Sequence, residues 1–473
     1  MKSFRSVYLF SILCLSIILL PSCNTYYQKN QQFQKSLVAG NFAGAKELLV
    51  KDEGESKGKN RLLYQCNRGW VEYSLGNYQE SIQYFNQADL YIEDFQKSYG
   101  NEALALITNP GVKPYAPEDP EKVMVNYYKA LAFMKMGKYD EALVEARRIT
   151  QKLYDLNDKY KGKKNRYADD AFAHILIGMI YDAVNDYNNA FIAYRNAIKV
   201  YDSVFTPVFG LSVPEQLKKD VIRTAWQTGF SDEVDVFERR FGIQHSPPQS
   251  GMGQVVFLWE NGFGPVKDQW SIMFTKIDKS GGWVTLQNDE LGLSFPFFLG
   301  NLDNQSKSAF SDLSVFRVAF PKYLERPPYY THARIRMDSI LYPLEKAMDL
   351  NAILFKTLED RMLREMANSL LRLAAKKAVE AAVREGDKNI GAIVGLLNAA
   401  TEQADTRNWQ TLPYAVHYTR IYLPEGSHTI EFEAYNGKSA SKVSIPVVVV
   451  KGKTTFISHR SIETYPERSR TGK

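Results

Sequence analysis

A short turn pattern that occurs four times before residue 200 constrains the fold of this chain most strongly. The copies begin at Gly40, Gly76, Gly137 and Asn185, each with an aromatic residue two positions later and a small residue five positions later. Each copy lies between two segments whose apolar residues recur with helical spacing. A Gly or Asn in the left-handed conformation can end a helix, and the small residue lets the next helix pass close. The pattern therefore predicts a series of helical hairpins.

The units between these turns resemble tetratricopeptide repeats. The small and aromatic positions of that family are matched in the second and fourth units by Gly69, Gly76, Tyr78, Ser81, Phe85, Ala88, Gly178, Tyr181, Tyr187, Ala190, Tyr194 and Ala197. The third unit departs from the pattern at Ala146, where an aromatic residue is usual. A further pair is predicted from Pro214 to Phe241, with Gly229 at its turn. We expect an α-solenoid over residues 23–245, with a generic helical bundle as the alternative.

The resemblance to tetratricopeptide repeats implies a protein partner. Such arrays dock extended or helical peptides on the concave surface formed by the first helix of each repeat. Tyr64, Tyr73 and Tyr127 lie in predicted first helices and are the candidate partner-binding residues.

The first 23 residues have the pattern of a secretory signal with a lipid attachment site. Lys2 and Arg5 precede an apolar run that is too short to span a bilayer comfortably. The run ends in Leu-Pro-Ser-Cys23, which resembles the bacterial lipobox and implies removal of residues 1–22 and acylation of Cys23. Asn24 is not acidic, which favours the outer membrane in the proteobacterial sorting scheme. An ordinary signal peptide or a short anchor helix is the alternative.

Cysteine content and charge narrow the possible functions. Besides Cys23 the chain has Cys14, which cleavage would remove, and Cys66. A disulfide scaffold is thus not expected in the mature chain, and Cys66 is predicted to be a small buried apolar residue. The formal net charge of +6 arises from 59 basic and 53 acidic residues. This near balance does not indicate a nucleic-acid partner.

After residue 245 the pattern changes from helical to extended. Residues 246–253 form a linker rich in Pro, Gly and Ser, and strands are predicted at 254–259, 270–277, 315–320 and 333–337. Leu354, Leu358 and Met362 then recur with helical spacing, which predicts a long helical hairpin over about residues 344–403. Four more strands are predicted between Tyr414 and His459.

These last strands, with the Pro424-Glu-Gly-Ser-His428 turn, resemble the small β-sandwich modules of the PEGA and carboxypeptidase-regulatory type. That resemblance implies a meander that binds partners or spaces domains. The expected fold is therefore multidomain α + β. A tetratricopeptide-like solenoid would be followed by a β-sandwich-like domain over residues 254–473 that carries the helical hairpin.

The string Ala404-Asp-Thr-Arg-Asn-Trp-Gln-Thr-Leu-Pro413 resembles a segment of an uncharacterised family of bacterial lipoproteins with tetratricopeptide repeats. Asp405, Arg407 and Trp409 are therefore candidate partner-binding residues. In the structural alternative, the string is a loop in which Asp405 pairs with Arg407 and Trp409 fills a core.

Motifs for catalysis, cofactors and metals are not found in the sequence. There is no phosphate-binding loop and no nucleophile elbow. The histidines, at positions 174, 245, 332, 417, 428 and 459, show no metal-ligand spacing, and His417 and His459 are predicted to be strand residues. We expect a non-enzymatic interaction scaffold on the bacterial envelope, with cell-wall or outer-membrane assembly as its setting. A polysaccharide hydrolase and a surface nutrient-binding lipoprotein are the alternatives.

Overall fold

The computed structural model describes residues 25–98, 113–159, 166–247, 249–278, 283–290, 292–298, 315–362 and 404–469. The predicted signal peptide, Cys23 and most of the predicted helical hairpin lie outside these ranges.

The first half of the described chain is helical. Its α-helices are α1 (Tyr26–Lys29), α2 (Gln31–Val38), α3 (Phe42–Lys51), α4 (Arg61–Ser74), α5 (Tyr78–Ser98), α6 (Asp119–Lys135), α7 (Tyr139–Lys159), α8 (Ala171–Ala183), α9 (Tyr187–Val200), α10 (Thr206–Phe209), α11 (Glu215–Gln227) and α12 (Ser231–Phe241). A 3-10 turn covers Glu53–Ser56 and a π-helical turn covers Tyr201–Phe205. Successive helices pack as antiparallel pairs, so the predicted helical repeat region is confirmed.

The turns between paired helices have the predicted backbone conformation. Gly40, Gly76, Gly137 and Asn185 have φ values of 69°, 82°, 70° and 63°, which lie in the left-handed region. Gly229, between α11 and α12, has a φ of 77°. The four predicted turns and the additional helix pair are therefore confirmed.

Two glycines on first helices allow close contact with the second helix of the same repeat. A Cβ atom at Gly69 would lie 2.9 Å from the Phe85 ring, and one at Gly178 would overlap the Tyr194 ring. These pairs match the small and aromatic positions of the tetratricopeptide pattern.

The helical core also contains a buried charged cluster between α5, α6 and α7. Lys129 Nζ lies 3.2 Å from Asp89 Oδ2 and 2.9 Å from Glu145 Oε1. Asn126 Nδ2 donates to Glu145 Oε2 at 2.7 Å. Because each buried charge has an opposite charge beside it, the cost of removing these groups from water is offset.

The second half of the described chain is rich in strands. These are β1 (Met252–Asn261), β2 (Val266–Asp278), β3 (Trp283–Asn288), β4 (Leu293–Phe298), β5 (Val315–Leu324), β6 (His332–Met337), β7 (Ile340–Met348), β8 (Ala415–Pro424), β9 (Gly426–Tyr435), β10 (Ala440–Val449) and β11 (Thr454–Ser461). They form a seven-stranded sheet of order β10-β9-β6-β7-β8-β1-β11 and a four-stranded sheet of order β4-β3-β2-β5. Neighbours are antiparallel except β1 and β11, which are parallel. Each predicted strand thus coincides with an observed strand, and no predicted end extends more than one residue beyond it.

The large sheet curls so that its two edges approach each other. Val447 of β10 shares a buried core with Phe257 of β1 and Ile421 of β8. Thr455 Oγ1 donates to Val448 O at 3.1 Å, which links the edge strands β11 and β10.

The last four strands are not a consecutive meander, which corrects the expectation taken from the PEGA-like resemblance. Strand β8 pairs with β1 on one side and β7 on the other. Because both of its edges are occupied, β9 pairs with β6 and β10 instead.

The start of the predicted helical hairpin is also corrected. Leu344 belongs to β7, where it pairs with Ala333 of β6, and the next helix, α13, begins at residue 350 and is described to residue 362. Asp349 caps this helix, since its Oδ1 accepts the Ala352 N–H at 2.8 Å. The rest of the hairpin prediction lies outside the described residues.

The helical half and the strand-rich half share one hydrophobic core. Leu63 and Tyr128 from the helices belong to the same buried cluster as Val256, Trp409 and Tyr418 from the second half. Among the described residues, no helix is long and apolar enough to cross a membrane.

Candidate functional site

Residues 404–413, called here the 404–413 segment, join the two halves of the molecule. Its side chains and backbone contact α1, α2, α4, α5 and α6 on one side and the β1–β2 loop and β11 on the other. On the strand side, Asn408 Nδ2 donates to Pro265 O at 2.9 Å and Oδ1 accepts the Lys267 N–H at 3.1 Å. The segment is therefore a connection between the repeats and the sheets.

Trp409 fills the centre of this connection. It is 1% exposed, and its ring lies 5.9 Å from Phe85 and 5.8 Å from Tyr128, measured between ring centroids. Its backbone N–H donates to Glu121 Oε1 at 2.6 Å and its indole N–H donates to Thr411 Oγ1 at 2.6 Å. These contacts match the structural alternative for the segment.

Arg407 forms a second connection. Its guanidinium donates to Asp405 at 2.7 and 2.8 Å, and Nη1 donates to Lys113 O at 3.0 Å. The same group lies over the Tyr115 ring at 5.4 Å. Burial would lower the pKa of Arg407, but the Asp405 carboxylate more than offsets this and raises it. Arg407 is thus a charged, buried link between the segment and the helices.

The three tyrosines predicted from the first helices lie inside the molecule. Tyr64 is 7%, Tyr73 9% and Tyr127 2% exposed. The Tyr73 hydroxyl lies 3.2 Å from Ser458 Oγ of β11, and the Tyr127 hydroxyl donates to Glu260 of β1 at 3.3 Å. A partner could reach Tyr73 or Tyr127 only by displacing the strands.

Arg460 of β11, which the sequence did not single out, occupies the face formed by the first helices. Its guanidinium lies 4.8 Å from the ring centroids of Trp70 and Phe263. It also donates to the Tyr128 hydroxyl at 3.0 Å and to Thr411 O at 2.8 Å. The aromatic residues of α4 and α6 could have indicated this contact in the sequence, because an aromatic surface attracts a cation.

Two buried carboxylates at the connection have shifted pKa values. Burial would raise the pKa of Glu118, but Arg361 and Lys267 hold it at about 2. Burial raises the pKa of Glu121, although nearby Lys267 lowers it. Glu121 accepts hydrogen bonds from Tyr115 and Trp409, and Glu118 pairs with Arg361 at 2.7 Å. Both carboxylates thus hold the two halves together.

The strand histidines and the cysteine that the sequence analysis considered, His417, His459 and Cys66, lie inside the protein. Burial is the largest cause that lowers the pKa of His417 to about 3 and that of His459 to about 4, and both are strand residues as predicted. Cys66 is buried, as predicted, and burial raises its pKa. Within the described ranges, no group of three or more His, Cys, Asp or Glu side chains could hold a metal ion.

A cleft and a groove lie at the end of the repeat array. The cleft, about 390 Å³, is bounded by α11, residues 243–246, β7 and β8, and we call it the Arg223 cleft. The groove, about 570 Å³, lies between α9 and the α11–α12 turn, and we call it the end groove. Ile192 and Phe230 line the end groove and are 37% and 40% exposed. The Arg195–Glu233 ion pair, 3.4 Å long, borders it.

Comparisons with known proteins identify the repeats. The tetratricopeptide repeat model matches residues 63–94 and 173–203, the second and fourth units. No curated protein matches the sequence. The solved structures that resemble the chain include MamA, with 15% identity and a TM-score of 0.28 over 44% of this chain and 91% of MamA. BtubC from P. vanneervenii has 11% identity and a TM-score of 0.31 over 46% of this chain and 82% of that one. A tetratricopeptide repeat protein from Parabacteroides merdae has 13% identity and a TM-score of 0.20 over 46% and 79%.

The chain therefore contains tetratricopeptide repeats followed by a strand-rich region with two sheets. Such repeats are protein-interaction modules.

Proposed function

We propose that this chain is a bacterial envelope lipoprotein, anchored through Cys23, that acts as a rigid scaffold and binds a protein partner in the end groove. Cell-wall or outer-membrane assembly is the setting that we propose for it. The single observation that carries the binding site is that the chain's own strands occupy the face of the first helices, whereas the end groove is open.

The end groove has the properties of a protein-binding surface. Its exposed Ile192 and Phe230 side chains provide apolar contacts, and the Arg195–Glu233 pair provides charges of both signs at the edge. Phe230 is held in place by Phe191, whose ring centroid is 5.6 Å away. We infer that the partner inserts an apolar side chain of a helical or extended segment here.

Site-specific photocrosslinking tests the groove. A photoreactive residue at Ile192 should capture a defined partner in cells, and Phe230→Asp should abolish that capture. The matched control is Val144, which is 50% exposed on α7 outside the groove. Capture of the same protein with equal yield from position 144 would refute the groove.

Metabolic labelling with a palmitate analogue tests the anchor separately. We expect the intact chain to take up the label and the Cys23→Ala variant not to. Label that persists in the variant would refute acylation of Cys23.

A further inference from the structure

Three buried polar atoms beside the Arg223 cleft have no hydrogen-bond partner among the described residues. They are Arg223 Nε, His245 Nε2 and the Tyr422 hydroxyl oxygen. Their side chains line the cleft from α11, from residues 243–246 and from β8. Buried polar groups in folded proteins are almost always paired. The three atoms along this cleft are therefore available to a ligand.

Electrostatic interactions show that the three groups are neighbours. Burial lowers the pKa of His245, and the positive charge of Arg223 lowers it further. Burial raises the pKa of Tyr422, and the charges of Arg223 and Arg420 oppose that rise. His245 is therefore neutral at pH 7, so that one ring nitrogen donates and the other accepts, and Tyr422 keeps its proton.

The guanidinium of Arg223 is held in place by the residues behind the cleft. Its Nη1 donates to Asp182 Oδ1 at 3.1 Å and to Gln227 Oε1 at 2.9 Å, and its Nη2 also donates to Asp182. The residue is 5% exposed, and Nε is its one nitrogen without a partner among the described residues. Because this N–H can only donate, a ligand must present an acceptor to it.

The charges that line the cleft balance, which favours an uncharged ligand. Arg420 Nε donates to Asp220 Oδ1 at 2.8 Å, and Arg420 Nη2 lies 2.8 Å from Asp182 Oδ2. Among the described residues, those that line the cleft with a charge are three basic and three acidic ones: Lys219, Arg223, Arg420, Glu215, Asp220 and Glu345. Since both buried arginines already have aspartate partners, an anion would gain little here and would meet Asp220 and Glu345.

The size and the walls of the cleft suit a small molecule. Its volume of about 390 Å³ lies in the range of small-molecule sites. Ile243 and Tyr342 add apolar surface to the polar groups. Residues 243–246 form one wall and lie outside the helices and strands, so a movement of this wall would uncover the three atoms.

We propose that the Arg223 cleft binds a neutral saccharide through Arg223, His245 and Tyr422. A sugar hydroxyl both donates and accepts, so adjacent hydroxyls satisfy a fixed N–H donor, a phenol and a neutral imidazole together. A peptide group fits less well, because its trans N–H and C=O point in opposite directions. Ile243 and Tyr342 contact the C–H surface of the ring. This site is separate from the end groove and depends neither on the proposed anchor nor on the proposed protein partner.

Ligand-observed NMR titration of the mature Cys23→Ser chain tests the cleft. The probes are glucose, galactose, N-acetylglucosamine and maltose, and we expect at least one of them to bind with a Kd of about 1 mM or below. Binding should be about tenfold weaker in Tyr422→Phe and in His245→Phe, because each variant removes one hydrogen-bonding atom. Both keep an aromatic ring, which in His245→Phe preserves the contact with Trp226, 5.0 Å away between ring centroids.

The matched control is Tyr154→Phe, which removes a hydroxyl outside the cleft. Tyr154 lies on α7 and is 71% exposed, so this variant should bind the same sugar within about twofold of the parent. Tyr422 and His245 lie on different elements, so the result for one variant decides if the other fails to fold.

Three outcomes would overturn the proposal. Affinity that both cleft variants leave unchanged would place the sugar elsewhere on the chain. If none of the four sugars binds, the three atoms are paired by water alone. Glucuronate that binds more tightly than glucose would show that the cleft selects an anion.

Discussion

Single methyl groups should be costly where the helices of a repeat touch. Gly69→Ala would place a Cβ 2.9 Å from the Phe85 ring, so the helices must move apart. Even after the higher helix propensity of alanine, we expect a loss of about 1–2 kcal/mol in the free energy of unfolding. Urea denaturation measures it. Gly54→Ala is the control, because nothing lies within 4 Å of its Cβ position. Equal values for the two variants would contradict the close packing.

Removal of the Tyr422 hydroxyl, beside the Arg223 cleft, should not destabilise the protein, in contrast to the Gly69 substitution. The Tyr422 hydroxyl is buried and has no hydrogen-bond partner among the described residues. Because an unpaired buried hydroxyl costs free energy, Tyr422→Phe should leave the free energy of unfolding unchanged or raise it by about 1 kcal/mol. Denaturation in urea would show this. A loss of more than about 1 kcal/mol would mean that the hydroxyl has a partner in solution.

The burial of neutral His417 should make the protein less stable as the pH is lowered. Burial lowers its pKa to about 3 in the folded chain, whereas the unfolded chain protonates it near pH 6.5. Between these values the unfolded state binds more protons, so stability falls as the pH is lowered, by about 1.4 kcal/mol per unit. From pH 7 to pH 5 the parent should lose about 2 kcal/mol more than the His417→Phe variant.

The pH window distinguishes this histidine from the buried carboxylate Glu118. The folded pKa of Glu118 is about 2 against 4.5 for the ordinary group, so its stabilisation is lost only as the pH falls below 4.5. His459, with a pKa of about 4, adds its own loss in both proteins. Parallel stability curves for the parent and the variant above pH 5 would contradict a buried neutral His417.

At the level of secondary structure, the packing of the repeats against the strands should depend on the Arg460 side chain of β11. Arg460→Met removes the charge over Trp70 and Phe263 and the hydrogen bonds to Tyr128 and Thr411. We expect a loss of about 3 kcal/mol in the free energy of unfolding, since buried acceptors lose their donor. Arg239→Met on the exposed surface of α12 is the control and should change stability by less than about 0.5 kcal/mol. Similar losses in both variants would show that Arg460 does not hold the connection.

The sequence predicts the elements where the physical signal is local. The left-handed residues Gly40, Gly76 and Asn185 end helices, and their positions could be read directly. The Asp349 cap was also local, but the apolar residues around Leu344 fit both a strand and a helix, so the start of α13 was misplaced. The sheet order could not be predicted, because it depends on which distant strands occupy the edges of β8.

In the candidate site too, contacts between neighbours in sequence could be predicted, whereas contacts between distant residues could not. The contacts inside the 404–413 segment, such as Asp405 with Arg407, involve neighbours in sequence and could be proposed from it. Sequence could not show that Tyr127 faces Glu260, since the two residues come together only when the sheets pack on the repeats.

At the scale of the whole molecule, the shared core predicts that the repeats depend on the strands. Trp70, Tyr73 and Tyr128 are buried partly by residues of the second half, so a chain of residues 25–245 would expose them to water. Exposing several large aromatic side chains costs on the order of 1.5–3 kcal/mol each, which is comparable with the whole stability of a domain. We expect this fragment to bind the dye ANS and to aggregate, whereas the mature chain unfolds in a single calorimetric transition. Residues 246–251, the part of the predicted linker that precedes β1, would then connect two regions of sequence that fold as one unit. A monomeric fragment with the melting temperature of the mature chain would contradict this dependence and would leave the face of the first helices free for a partner.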